Sequence, residues 1–559
     1  MVLLVLRLIQ YQVIEHAPLK ARLIGQNQSV QWVIPKRGTI YDRSGDILAR
    51  SIPRQSVFYA PFKDDPPRVH REVLVQLQRT LDLSADETGK IRERIDKGDP
   101  FVWIKRKVDS RQAQAVHDLS LRGVSTMEEN QRYYPHGWLA AHVIGRVNID
   151  DEGASGIEYK YNDILMGDKG KRIALVDARR REYQFEIIQA PVDGRDLILT
   201  IDETIQYIAE KELDEAVRMT DANWGVIIVS QPRSGDILAM ANTPSFDLNS
   251  PPASLLTADR IKAIHQTYDP GSTFKVITAS AALESGAVGL DDTFDCSAQV
   301  IRVAGKTFRD HHPFGLLTFP QVIIHSSNVG TIQVSLRMDP RNFCDIIQKF
   351  GIGLRSGIDL PAEEYGLYRP FEQWTTISPA SIAIGYEVSA TPLQVLQAVN
   401  VIANRGLYIT PRVVRSIQAD QQERQEREVQ RRVISEATAA QMAAILEGVV
   451  GEGTGKQAAI PGLTVAGKTG TAQKFDPNIG AYSATAHSAT FAGYVSNGRP
   501  LFSIIVVIDE PKGLYYGGQV AAPLFRNVAL GILRSMGISG TAPPAGTIVA
   551  AKQRGEDGP

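Results

Sequence analysis

The sequence predicts an α+β protein in which a central antiparallel sheet, flanked by helices, follows a smaller and irregular α+β module. Strand-like runs occur near both ends of one long segment, at 225–230 and 237–240 and again at 489–496 and 501–510. Short turns separate the two members of each pair, as in β-hairpins. A sheet assembled from such distant pieces has to be covered by the helices that the intervening chain supplies.

Length and composition agree with a multidomain globular protein. A chain of 559 residues is too long for one ordinary core, and 43% of its residues are hydrophobic. The 61 Lys and Arg residues nearly balance the 62 Asp and Glu residues, so we expect no nucleic-acid partner. Cys296 and Cys344 are the only cysteines and lack the spacing of a zinc site. The sequence leaves open whether these two cysteines pair.

The chain divides into four predicted parts. Residues 32–198 alternate short strand-like runs with charged helical stretches, which is typical of an irregular α+β module. An amphipathic helix then begins at Asp202, a residue type that favours helix N-caps, and we place residues 199–539 in the second domain. Residues 540–559 are rich in Gly, Pro and Ala and are predicted to be a disordered tail.

The segment 1–31 is treated separately because it begins with a short apolar run. Only Val2 to Leu6 are continuously apolar before Arg7 interrupts the run, whereas a membrane helix needs about 20 such residues. On its residues alone the segment is neither an anchor nor a signal peptide. The alternative to a membrane anchor is that this segment forms a short helix that is buried or lies at an interface.

The first catalytic candidate is the pair Ser272 and Lys275 in the string YDPGSTFKVITASAALESG. Pro270 and Gly271 precede a helical run, so the serine is expected at a helix start and the lysine one turn later on the same face. A neutral lysine can remove the proton of a serine nucleophile, and the helix N-terminus favours a developing oxyanion. Taken alone the pair is weak evidence, because exposed helix starts often carry both residues.

The second candidate is Ser326 with Asn328 in HSSNVG, a small polar segment able to face a cleft. The two side chains are separated by one residue and combine a hydroxyl with an amide. Alone, this segment would be an ordinary turn.

The third candidate is the run from Lys468 to Thr471 in LTVAGKTGTAQK, which is predicted on an edge strand of the sheet. Lys468 supplies a cation and Thr469 a hydroxyl for a terminal carboxylate. Gly470 would let a substrate backbone approach the strand. The backbone N–H of Thr471 would complete an oxyanion hole with that of Ser272.

Together and in this order, the three motifs are the signature of penicillin-binding proteins and serine β-lactamases. The chain resembles class B penicillin-binding proteins from about Leu6 to Arg534. In the first module PKRGTIYDRSGDILARS and GIEYKYNDILMGDKG are similar to segments of that family. AIGYEVSATPLQ and YYGGQVAAPLF resemble its division-septum branch, the FtsI type, and its sporulation relatives. Glu387 is a departure, because a glycine is common there, and it affects the expected shape of the loop.

The resemblance implies a serine acyl-enzyme. In this family the counterpart of Ser272 attacks the peptide bond between two terminal D-alanines while the counterpart of Lys275 takes the proton. The counterpart of Ser326 returns a proton to the leaving D-alanine, and that of Asn328 holds the donor amide. The positions of Lys468 and Thr469 bind the terminal carboxylate. No cofactor is implied.

The resemblance also implies partners and a location. The substrates are peptidoglycan stem peptides, and β-lactams resemble the donor terminus. An FtsW-type glycan polymerase and other divisome membrane proteins are the expected partners. The family pattern places a single-pass anchor in the inner membrane and the catalytic domain outside the cytoplasm, with residues 1–31 as the end or remnant of that anchor.

Other classes share parts of this pattern. A β-lactamase uses the same motifs for hydrolysis but is normally a single domain and would have no use for residues 32–200. A lactam-binding sensor or an inactive scaffold would require a signalling module or a broken motif, and the sequence contains neither. An elongation-type class B transpeptidase and a D,D-carboxypeptidase remain alternatives, and the sequence does not identify the acceptor amine.

Overall fold

In the computed structural model the described residues are 7, 10, 28–62, 64–176, 182–252, 259–418, 431–476 and 480–538. The predicted tail at 540–559 lies outside them, as does most of the segment 1–31. No helix within the described ranges combines the length and the apolar character that crossing a membrane requires.

The first module is an irregular α+β structure, as the sequence predicts. Its elements in chain order are β1 (Gln28–Val33), β2 (Ile40–Tyr41), β3 (Ile47–Tyr59), α1 (Pro67–Leu81), α2 (Ala85–Asp96), β4 (Val102–Val108), α3 (Ser110–Asp118), β5 (Val124–Tyr133), α4 (Ala141–Ile144), α5 (Gly156–Lys160), α6 (Asn162–Leu165), β6 (Gly170–Val176), β7 (Glu182–Gln189) and β8 (Asp196–Leu199).

The second part begins with helix and strand elements that lead to the first motif. These are α7 (Glu203–Thr220), β9 (Trp224–Gln231), β10 (Asp236–Thr243), α8 (Lys262–His265), a 3-10 turn (Gly271–Phe274) and α9 (Lys275–Glu284). Short strands and helices follow: β11 (Thr293–Asp295), β12 (Val300–Val303), β13 (Lys306–Arg309), β14 (Leu316–Thr318), α10 (Phe319–Ile324), α11 (Asn328–Ser335) and α12 (Pro340–Lys349).

The remaining elements complete the second part. They are a 3-10 turn (Phe371–Gln373), α13 (Ser378–Ala383), α14 (Pro392–Ala403), β15 (Leu407–Tyr408), β16 (Val414–Gln418), β17 (Arg431–Arg432), α15 (Glu436–Gly451), a 3-10 turn (Lys456–Ala458), β18 (Thr464–Asp476), β19 (Ala481–Ser496), β20 (Pro500–Asp509) and α16 (Gly517–Ser535).

The central sheet has five antiparallel strands in the order β10-β9-β20-β19-β18, which confirms the predicted assembly from two distant hairpins. Strand β9 is buried on both faces. Ile227 and Val229 pack in the core that α7 and α16 share, whereas Val226 and Ile228 pack against the helices from the middle of the segment. The sheet is therefore the middle of three layers.

A second sheet crosses the predicted boundary between residues 198 and 199. Strand β16, from the second part of the chain, pairs antiparallel with β8, and β8 pairs parallel with β2 of the first module. Asp42 of the first module also accepts a hydrogen bond from the backbone N–H of Glu203 at the start of α7. Backbone hydrogen bonds between these strands therefore join the first module to the second part of the chain. The domain boundary between residues 198 and 199 stays a prediction.

Glu158 lies at the centre of a buried ion-pair network in the first module. Arg37 Nε donates to Glu158 Oε2 at 2.7 Å, and Arg132 Nε donates to Glu158 Oε1 at 2.6 Å. Arg132 also donates to the carbonyl of Gly38, at 2.7 Å. Because all three charged side chains are removed from water, each depends on the others for compensation.

We predict that Glu158→Ala lowers the free energy of unfolding by about 3–5 kcal/mol, because it leaves two buried guanidinium groups without their carboxylate. The exposed pair Arg68–Glu72 supplies the control: Glu72→Ala should change stability by less than about 1 kcal/mol. Chemical denaturation followed by circular dichroism measures both variants. Equal effects would contradict a structural role for the buried network.

Candidate active site

Strand β18 brings the third motif to the edge of the central sheet. Lys468 lies opposite Ala492 of β19 in the antiparallel register, and Gly470 lies opposite Thr490. In the five-strand order β18 has a neighbour on one side, which confirms the predicted edge position. The side chain of Lys468 is fully buried, so its amine points into the protein and away from solvent.

Ser272 lies in the 3-10 turn that immediately precedes α9, and Lys275 is the first residue of the α-helix. This agrees with the expected placement of the serine at a helix start with the lysine one turn later. Gly271 adopts a left-handed φ of 53°, which favours glycine, and its N–H donates to the carbonyl of Gly385 at 3.3 Å. The segment that follows α13 therefore holds the turn that contains Ser272 in place.

The glycine of the third motif allows β18 to pack directly on this turn. A Cβ added at Gly470 would lie 2.8 Å from Thr273 Cγ2 and 3.2 Å from the carbonyl oxygen of Pro270. On the other side, a Cβ at Gly271 would lie 3.1 Å from Cβ of Ala472. The sequence assigned Gly470 to the approach of a substrate backbone; the structure gives it a close contact with the chain's own Ser272 turn.

The hydroxyl of Ser326 is the point at which the three motifs meet. Lys468 Nζ donates to Ser326 Oγ at 3.0 Å, and Lys275 Nζ lies 3.3 Å from the same oxygen. Lys275 Nζ also donates to the carbonyl of Ser326 at 2.7 Å and to Asn328 Oδ1 at 2.8 Å. Ser326 has a left-handed φ of 59°, a conformation that costs a non-glycine residue free energy and places its carbonyl and hydroxyl toward the same amine.

Asp310 holds the second motif in place, and the sequence analysis did not identify it. Its carboxylate accepts from Ser327 Oγ at 2.6 Å, from the backbone N–H of Val329 at 3.1 Å and from that of Asn328. These groups form the start of α11, where a negative charge is favourable. Asp310 lies outside the three motif strings, and only the folded chain brings it beside them.

Burial lowers the pKa of both lysines. It lowers the pKa of Lys275 to about 7, and the charge of Asp310 opposes this shift. Burial also lowers the pKa of Lys468 far below the usual value, and the positive charge of Lys275 adds to that effect. Because the two amines share Ser326 as a neighbour, protonation of one disfavours protonation of the other.

The two threonine hydroxyls of β18 have partners within the chain. Thr469 Oγ1 lies 2.6 Å from Thr454 Oγ1, and Thr471 Oγ1 accepts from the backbone N–H of Gly517 at 2.9 Å. The latter bond ties the start of α16 to the edge strand. Successive side chains alternate across a strand, so the two hydroxyls lie on one face while Lys468 points to the other.

Glu387, at a position where the family commonly has glycine, adopts a backbone conformation that favours glycine. Its φ is 58°, in the left-handed region, and its Oε2 accepts from Ser378 Oγ at 2.9 Å. The loop at Glu387 therefore adopts a backbone conformation that favours glycine although the residue is not a glycine, at the cost of some strain. Gly385, two residues earlier, remains in hydrogen-bond contact with Gly271 of the serine turn.

Two family models match the chain over most of its length. The model of the penicillin-binding protein transpeptidase domain matches residues 225–530, and that of the penicillin-binding protein dimerisation domain matches residues 33–199. The second match corresponds closely to the first module described above.

Relatives and solved structures agree with these matches. A probable peptidoglycan D,D-transpeptidase PenA of Neisseria gonorrhoeae is 34% identical, over 91% of this chain and 86% of that protein. Stage V sporulation protein D of Bacillus subtilis is 33% identical, over 90% and 79%. The peptidoglycan D,D-transpeptidase FtsI of Escherichia coli is 32% identical, over 91% and 85%.

Among solved structures, penicillin-binding protein 3 of Mycobacterium tuberculosis, complexed with aztreonam, superimposes with a TM-score of 0.71. It is 27% identical, and the match covers 92% of this chain and 99% of that one. Two domain matches in the same order, relatives above 30% identity and a shared fold agree with one another. The chain therefore belongs to the class B penicillin-binding proteins and is a serine-type peptidoglycan D,D-transpeptidase.

Proposed function

We propose that the chain cross-links peptidoglycan stem peptides through an acyl-enzyme on Ser272. The observation that carries this proposal is the convergence of two buried amines on Ser326 Oγ, one from the residue three positions after Ser272 and one from the edge strand. A lysine with a pKa near 7 is a suitable general base at neutral pH.

In the first half-reaction, the neutral amine of Lys275 takes the proton of Ser272 as Oγ bonds to the carbonyl carbon of the penultimate D-alanine. The carbonyl oxygen becomes an oxyanion, which the backbone N–H groups of Ser272 and Thr471 stabilise. Collapse of this intermediate breaks the C–N bond, and the terminal D-alanine leaves as an amine. Its proton arrives through Ser326, whose hydroxyl lies close to both lysines.

The donor is held by polar groups along β18 and α11. Asn328 binds the donor amide, and the terminal carboxylate lies at the edge of β18, where Lys468 binds it from one face of the strand and Thr469 from the other. The two lysines are also coupled electrostatically, because the charge of Lys275 lowers the pKa of Lys468 and a proton on either amine disfavours one on the other. In the second half-reaction an acceptor amine attacks the ester carbonyl and gives its proton to Lys275. The C–O bond then breaks, and Lys275 returns the proton to Ser272 Oγ.

We predict that Ser272→Ala abolishes covalent labelling by fluorescent penicillin, because the lactam carbonyl then has no nucleophile. Lys275→Ala should keep the nucleophile and slow acylation by roughly 10²–10⁴-fold, the usual contribution of a general base. Gel fluorescence measures the label, and mass mapping of the acylated peptide identifies the residue.

Ser285→Ala is the matched control, since Ser285 lies just past the far end of α9 and hydrogen-bonds to the carbonyl of Ala281. It should be labelled at the wild-type rate. Stable label on the Ser272→Ala protein would contradict the assignment of the nucleophile.

We predict that penicillin acylation of the wild-type protein accelerates with rising pH through about pH 7, because only the neutral amine of Lys275 accepts a proton. Below that pH the amine is charged and the rate falls. Asp310→Asn removes a negative charge that raises the pKa of Lys275, so the midpoint should move to lower pH. Stopped-flow acylation between pH 5 and 9 gives both midpoints, and coincident midpoints would exclude this electrostatic role of Asp310.

The transfer to an amine rather than to water separates this proposal from a D,D-carboxypeptidase. Both reactions share the acyl-enzyme, so penicillin labelling does not distinguish them. Measuring the release of D-alanine with and without an added amine acceptor does distinguish the two reactions. A transpeptidase yields the cross-linked product when the acceptor is present.

We further propose a septal role with an FtsW-type glycan polymerase as partner and a single membrane anchor in or before residues 1–31. Two segments outside the motifs support the septal role by likeness to the division branch, YYGGQVAAPLF at 515–525 and SATPLQ at 389–394. The relatives named FtsI and stage V sporulation protein D point in the same direction. The septal role is inferred from sequence similarity alone.

We predict that depletion in the native host yields filaments with blocked septa and that a tagged copy sediments with membranes and collects at midcell. The reason is that septal cross-links are then missing while lateral growth continues. Microscopy and cell fractionation check both expectations. Rounded cells with label around the whole periphery would assign the protein to elongation instead.

A further inference from the structure

A groove runs along the junction between the first module and the second part, away from the catalytic motifs. It consists of two adjoining cavities of about 650 Å³ and 700 Å³. His136, Glu203 and Thr204 line both cavities, so the two adjoin, and together they are here called the junction groove. Clefts between domains are common places for ligand binding.

Two aromatic side chains form one wall of the first cavity. Trp138, from the loop after β5, is 43% exposed, and Tyr207, from α7, is 48% exposed. Their ring centroids are 6.0 Å apart and the rings are tilted by 46°. Large aromatic faces that stay in solvent within a cavity are available to stack on a ligand with an apolar face.

The rest of the first cavity is polar. Asp247 and Asn249 line it, and Glu203 pairs with His136 at 3.2 Å between the two cavities. The loops are tied together before any ligand arrives: the backbone N–H of Tyr134 donates to Asn249 Oδ1, and Asn249 Nδ2 donates to the carbonyl of Tyr134. Such a preorganised wall binds without the cost of ordering the loops.

Helix α16 runs from the edge strand of the active site to the second cavity of the groove. Its first residue, Gly517, donates to Thr471 Oγ1 beside the active site, and its last residue, Ser535, lines the second cavity. At 1.5 Å per residue the helix places the two ends about 27 Å apart. A fully extended pentapeptide spans only about 17 Å.

We propose that the junction groove binds the glycan backbone of peptidoglycan, with a sugar face stacked on Trp138 and Tyr207. This inference rests on the proposed function for the identity of the polymer. Sugar rings combine an apolar face with hydroxyl and amide groups at the edge, which matches two aromatic rings beside a carboxylate and an amide. In this proposal the bound sugar is not the one whose peptide reacts, because α16, which separates the catalytic edge strand from the second cavity, is longer than a stem peptide. The groove holds the glycan strand at a sugar other than the one that carries the reacting stem peptide.

The test uses the full chain and glycan strands from which an amidase has removed the stem peptides. Trp138→Ala and Tyr207→Ala should each weaken strand binding by about fivefold or more, as measured by fluorescence polarisation of end-labelled strands. Tyr159→Ala is the matched control, because Tyr159 is an exposed aromatic residue of the first module that does not line the groove. It should bind strands as the wild-type protein does, and unfolding midpoints within a few degrees show that the variants are folded.

Unchanged binding by both groove variants would overturn the inference, and so would an equal loss in the Tyr159→Ala protein. Binding that requires the stem peptide, with none to peptide-free strands, would also overturn it. Penicillin labelling of the wild-type protein reports separately on the proposed function. A labelled protein that does not bind peptide-free strands refutes the groove alone, whereas an unlabelled one refutes the acyl-enzyme.

Discussion

The burial of two lysine amines against one serine hydroxyl is the constraint on which the arrangement of the catalytic domain depends. Lys275 and Lys468 both reach Ser326 Oγ, and neither side chain is exposed to solvent. Two charged amines at this separation in a dry site would repel strongly. Burial lowers the pKa of each amine, and the charge of Lys275 lowers that of Lys468 further, so the packing favours a neutral lysine at this site.

Several features of the fold serve this arrangement. The edge position of β18 and the absence of a side chain at Gly470 let the strand pack directly on the Ser272 turn. Asp310 fixes the start of α11, and with it the amide of Asn328 that accepts from Lys275. The sheet that joins β8 to β16 links this domain to the first module through backbone hydrogen bonds.

The sequence predicted those parts of the protein whose signals are local. The hairpins of the central sheet, the cap of α7 at Asp202 and the three motif strings each depend on a few neighbouring residues. Asp310 was missed because its role comes from contacts with Ser327 and Asn328, which a string of residues around it does not reveal. The pairing of β16 with β8 was missed for a similar reason, since more than two hundred residues separate the two strands.

The role of Gly470 was predicted only in part. A glycine on a strand indicates that something approaches closely, but it does not say whether that is a ligand or the chain itself. The contact with Thr273 arises because the fold packs β18 on the turn that contains Ser272. The hydroxyl partners of Thr469 and Thr471 likewise depend on segments distant in sequence, the loop at Thr454 and the start of α16.

The central claim is that the folded protein keeps the amine of Lys275 neutral near pH 7, and a titration of the lysine amines tests it most directly. Protein with ¹³C-labelled lysine Cε atoms would be titrated by NMR, and the signal of Lys275 assigned by its loss in Lys275→Arg. The account predicts that this signal titrates near pH 7, far below the range of exposed lysines. A Lys275 signal that remains in the charged form up to pH 10 would contradict it.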